Sequence, residues 1–145
     1  MAVRLNIGLV DAAMKADMPM DDFQYYCVHA ASTQHYVQIA SGACDPYPIG
    51  VYQGNAASTR GDPVDICLFG PCIAKVATCA LDATESCPIR VGHPLVCSPS
   101  GILVTAGSTD TMNAYALEPI TTASTRANIS IFWLGGFGTS PVASS

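Results

Sequence analysis

Seven cysteines and three histidines carry most of the reactive chemistry in this chain of 145 residues. Cys27, His29 and His35, with His93 further on, invite a thiol-site reading, because an imidazole beside a cysteine generates a thiolate nucleophile. If residues 24–30 form a strand, Cys27 and His29 share one face and His35 sits in the next strand. No carboxylate stands at a spacing that would orient either imidazole, so the histidines read better as scattered members of a β domain. Cys27, Cys44, Cys67, Cys72, Cys79, Cys87 and Cys97 are odd in number and include no Cys-x-x-Cys. Their spacing fits no zinc finger or zinc ribbon. Buried structural thiols in a reducing cytosol are the favoured reading; disulfides formed after release from a cell, or a metal site, are the alternatives. No catalytic, cofactor-binding or metal-ligating residue is assigned, no cofactor is expected, and the chain is not read as an enzyme.

Three further motifs weigh little. Arg60-Gly61-Asp62 is the integrin-type tripeptide, but Gly and Asp are also what a β-turn selects for backbone reasons. Asp21-Asp22 stands before a strand and reads as a solvated edge. Gly135-Gly136-Phe137-Gly138 lacks the Lys-Ser/Thr and the helix of a phosphate loop.

The elements that would position these residues are strands. Period-two alternation bounded by turn residues predicts them at 24–30, 35–40, 49–53, 64–69, 73–77, 94–97, 102–105, 113–117 and 128–134. Ser98-Pro99-Ser100-Gly101 predicts a hairpin turn, and 35–40 is the expected hairpin partner of 24–30. The stretch from Pro48 to Cys72 is loosely echoed from Ala114 to Gly135: Val64, Ile66 and Leu68 reappear as Ile129, Ile131 and Trp133. Both stretches also carry Ser-Thr-Arg, at 58–60 and 124–126. No long amphipathic helix is expected. The fold class is therefore all-β, a small barrel or sandwich of short antiparallel strands over 23–134. Residues 1–22, with Met14, Met18 and Met20, read as an extended N-terminal arm that docks elsewhere and could be removed without unfolding the domain. Residues 135–145 read as a flexible Gly/Ser-rich tail.

Composition bounds the partners. Half of the residues are hydrophobic and only 12% are charged, half the usual ~25%. A surface so poor in charge predicts contact with partners, since soluble monomers usually carry mixed charge. A net charge of −5 with six Lys and Arg excludes the basic face that nucleic acid requires. No apolar run reaches the ~20 residues of a membrane span. The stretch Leu5 to Val10, interrupted by Asn6, is too short for a signal-peptide core, so synthesis and use in a cytosol are expected.

The order of short motifs resembles the small capsid-decorating, or cement, proteins of tailed phages. The resemblance covers roughly residues 23–134. It rests on Pro48, Gly50, Val51 and Gln53, then Gly61 and Asp62, then Val64, Ile66 and Gly70. It continues through Gly92, His93, Leu95 and Gly101 to Ala116, Leu117 and Glu118. His93 stands where that group usually has Asp, Ala114 where it has Gly, and the cysteine content is high. The resemblance implies a protein of the capsid outer surface, assembled in the host cytoplasm, that binds the major capsid protein and stabilises contacts between its subunits. It also implies self-association as a trimer or local cluster. A phage tail or receptor-binding structural protein is the alternative from sequence, with a thiol enzyme behind it.

Overall fold

The computed structural model describes residues 14–40, 47–54, 57–78, 89–107, 111–122 and 126–134. Among them lie ten strands: β1 (Lys15–Ala16), β2 (Cys27–Ala30), β3 (Tyr36–Ile39), β4 (Pro48–Gly54), β5 (Asp65–Cys67), β6 (Gly70–Ala77), β7 (Pro94–Cys97), β8 (Leu103–Thr105), β9 (Ala114–Ala116) and β10 (Arg126–Trp133). A single 3-10 turn spans Asp21–Phe23. Each strand that the alternation predicts is present; β4, β6 and β10 run longer than expected, β7 matches, and the other five are shorter by one to three residues.

The strands form two bodies. Five make an open sheet in the order β1-β3-β2-β4-β5, and the other five close into a barrel in the order β10-β6-β8-β7-β9. The two echoed stretches fall one in each body: β4–β5 and β9–β10 are both antiparallel neighbours. The hairpins β2–β3 and β7–β8 pair as expected. A parallel contact, Val76 to Leu103, closes the barrel between β6 and β8. Local alternation does not encode that contact.

Alternation along the sheet feeds two cores. Cys27, Ala40 and Val51 point into the barrel core with Trp133, Leu95, Leu103 and Ile131. Val28, Val37, Tyr52 and Ile66 point the other way, into a second cluster. That second face needs a cover, and the chain before β2 supplies it. Ala16 and Met20 are fully buried there, with Met14 and Met18 packed beside them. Lys15 and Ala16 pair in parallel with Tyr36 and Val37, and the Met20 amide donates to the Ala57 carbonyl at 2.7 Å. Residues 14–20 of the expected arm are thus packed onto the sheet, because a two-sided sheet cannot leave its second apolar face in water. Residues 1–13, Cys44, Cys79, Cys87 and the tail 135–145 lie outside the described residues.

Candidate functional site

Backbone and side-chain hydrogen bonds hold the sheet against the barrel, and two of the residues that make them, Gln53 and Gly101, belong to the motif order noted above. Gln53 at the end of β4 reaches across to β6. Its Nε2 donates to the Ile73 carbonyl at 2.8 Å, and its Oε1 accepts the Ile73 amide at 3.3 Å. One side chain so imitates a strand partner at a place where no strand lies. The Lys75 amide donates to the Tyr25 carbonyl at 2.8 Å, and the Cys27 amide to the Gly101 carbonyl at 2.8 Å. Trp133 Nε1 donates to the Ile49 carbonyl at 3.3 Å. Gly101 must be glycine at this junction. Its φ is +79°, and a Cβ there would sit 2.8 Å from Ile39 Cγ2 and 3.1 Å from the Ala40 carbonyl oxygen.

Other motif residues close turns. The Asp62 carboxylate accepts the Thr59 amide at 3.0 Å. Arg60 is engaged by Asp17 at 2.8 Å and lies over the Tyr36 ring at 4.8 Å. Arg60-Gly61-Asp62 is therefore a β-turn whose two charged side chains are bound within the domain. His93 Nδ1 accepts the Arg90 amide at 3.2 Å, the task that a short acidic side chain performs in such turns. Glu118 Oε2 accepts the Ser130 amide at 2.6 Å, joining the end of β9 to β10.

The imagined thiol site is not assembled. His29 is buried, and its hydrogen bonds run to the Ala30 carbonyl at 2.9 Å and Gln38 Nε2 at 3.1 Å. Both ring nitrogens are thereby used. His35 is exposed and stands in the turn before β3 with φ +66°, not in the strand as expected. Asp21 and Asp22 are exposed in the 3-10 turn. Cys27 is fully buried, and that burial pushes its thiol well above the usual range, with a hydrogen bond to Cys97 adding to the shift. A thiolate nucleophile needs the opposite shift. Among the described residues no three His, Cys, Asp or Glu side chains are placed to hold a metal ion.

The sheet–barrel junction does bring four cysteines together. Cys27 and Cys97 lie in the barrel core, with Cys67 and Cys72 packed against it. Cys67 and Cys72 share a hydrogen bond, which holds Cys67 below the usual thiol range against its partial burial. The same bond, with burial added, pushes Cys72 up. Sequence reasoning expected Cys67 to be buried. It is half-buried, because β5 is an edge strand with no neighbour beyond it.

The outer face of the barrel beside this cluster is mainly apolar, with Lys75 and Glu118 at its border. Strand register places Phe132 between Tyr115 and Pro71 in one cross-strand row, and Ser130 opposite Ile73 in the next. Leu117 joins that second row through its amide bond to the Ser130 carbonyl. Phe69 crosses Phe132 edge to face at 5.4 Å. Phe69 is 49% exposed, Ile73 40% and Leu117 42%. Buried aromatic pairs are ordinary; a set of partly and fully exposed apolar side chains on one sheet face is a candidate contact surface. Single-sequence reasoning missed this face, since β6 and β10 only reveal which residues point outward once the barrel closes.

No protein-family model matches the chain, and no curated protein matches it significantly. Among solved structures, the chain is similar to the N base of the head fiber protein gp8.5 of bacteriophage phi29. The identity is 15%, the alignment covers 86% of this chain and 92% of that one, and the TM-score is 0.45.

Proposed function

We propose that this chain is a phage capsid decoration protein that docks on the outer surface of the head and stabilises contacts between major capsid protein subunits. The observation that supports the reading is the mainly apolar face of Phe69, Pro71, Ile73, Tyr115, Leu117 and Phe132 on the β barrel. The motif order shared with cement proteins supplies the class of partner. Such a protein works by buried area and repetition, with no reaction catalysed. Each copy would bury on the order of 1,000 Å² against the shell, and binding to the assembled form alone stabilises it by mass action. Clustering of copies as trimers at three-fold positions would follow from the same resemblance.

The test uses purified virions and the Phe69→Ser/Phe132→Ser variant. Wild-type protein is expected in the head fraction, and heads stripped of it should release DNA at a lower temperature. The double variant should fold, as judged by Trp133 fluorescence, yet bind stripped heads at least about tenfold more weakly, roughly 1.4 kcal/mol. Equal release temperatures with and without the protein would overturn the reading. Recovery in the tail fraction alone would replace it with a tail structural role.

A further inference from the structure

We propose that Cys67 and Cys72 are a modification site: an oxidisable dithiol that closes into a disulfide across the sheet-to-barrel crossover. The inference stands on the thiol geometry and does not depend on the functional reading above.

The two cysteines end and begin the strands that carry the chain from one body to the other. Cys67 is the last residue of β5 and Cys72 the third of β6. The intervening segment bends at Phe69, and Gly70, the first residue of β6, has φ +97°. That bend leaves Cys72 in side-chain contact with Cys67, and both pack against the barrel core. Cys67 Sγ also faces the Phe69 and Gly70 carbonyls at 3.7 and 3.8 Å. Both thiols are half-buried, so a small reagent can reach them, whereas Cys27 and Cys97 are 0% and 2% exposed. The pair is also asymmetric, as exchange chemistry favours. Cys67 is the more acidic thiol and is the attacking group; Cys72 keeps its proton and resolves.

The reaction needs a low-molecular-weight disulfide as oxidant. The Cys67 thiolate attacks one sulfur of that reagent, forming a mixed disulfide and expelling one thiolate. Cys72 then gives up its proton and attacks the Cys67 sulfur, expelling the second. The two cysteines lose two electrons in all, the reagent disulfide gains them, and the two released protons go to the expelled thiolates. The closed ring would pin the turn that carries Phe69. If the apolar face is the docking surface, oxidation would also fix its edge.

The experiment treats the full chain with oxidised glutathione in native buffer and maps peptides without reduction. A peptide pair linked through Cys67 and Cys72, lighter by two hydrogens, is expected, while Cys27 and Cys97 react with iodoacetamide only after denaturation. In the reduced protein Cys67 should alkylate at least about tenfold faster than either buried thiol. Cys72→Ser should stop the reaction at a glutathione adduct on Cys67. The wild-type map decides the matter even if that variant misfolds. Cys67 linked to any other cysteine, a lasting glutathione adduct on wild-type Cys67, or no linked pair at any glutathione ratio would overturn the proposal.

Discussion

At the scale of single residues, close approach and burial decide more than charge. Gly50 sits where β4 meets β5, and a Cβ there would lie 2.5 Å from both the Cys67 carbonyl oxygen and Ile66 Cγ2. The first of these is backbone and cannot swing aside. Gly50→Ala should cost about 1–3 kcal/mol of stability, read as a lower thermal midpoint; an unchanged midpoint would show that the pair yields. Thiol burial gives a pH dependence of definite sign. Cys27 and Cys72 hold their protons in the folded chain, while unfolded thiols release theirs above about pH 8.5. The unfolded state then binds fewer protons, so stability falls as pH rises beyond that point. Cys67 acts in the opposite sense, and its contribution is lost as pH falls through its lowered value. In reducing buffer the thermal midpoint should therefore drop between about pH 8.5 and 9.5, and Cys27→Ala should flatten the slope. A midpoint that is level across that window would contradict the burial of these thiols.

At the scale of elements, the junction between sheet and barrel is stitched by few bonds, and Gln53 makes two of them. Gln53→Ala leaves the Ile73 amide and carbonyl without that partner and, at this exposed position, should cost about 0.5–1.5 kcal/mol. Gln53→Glu keeps the acceptor for the Ile73 amide but turns a carboxylate towards the Ile73 carbonyl, so it should cost at least as much. Denaturant midpoints of the two variants measure this; a neutral Gln53→Ala would mean that water replaces the amide without loss. The segment before β2 is the other element whose role changes once seen in place. Met20 is fully buried, so Met20→Ala should cost about 2–5 kcal/mol, where a free arm would tolerate it.

At the scale of the whole molecule, the two cores share a sheet, and each face of it rests on a different cover. Removing residues 1–20 strips Ala16 and Met20 from the second face and should lower stability for the entire chain, not only particle binding. Trp133, the single tryptophan, is fully buried and bonded to Ile49 across the junction. Its fluorescence should report one cooperative transition in the intact chain. Two separated transitions would mean that sheet and barrel unfold independently.

What the sequence determined by itself was local. Turn residues such as Ser98-Pro99-Ser100-Gly101 and alternation such as Asn128 to Leu134 are read within a few neighbours, so the strands and the hairpins β2–β3 and β7–β8 were legible. The all-β class followed from them. The tertiary structure alone decided the rest, because it depends on contacts between residues far apart in the chain. The division into an open sheet and a closed barrel needs the Val76–Leu103 contact. The role of Gln53 needs Ile73 brought alongside it. Residues 14–20 have no periodicity of their own, since the burial of Ala16 and Met20 is dictated by the sheet face they cover. The apolar face exists because barrel closure turns Ile73 and Phe132 outward while Ile131 and Trp133 fill the core. The packing of Cys67 and Cys72 against one core arises in the same way, from a crossover whose path is set by the two bodies that it joins.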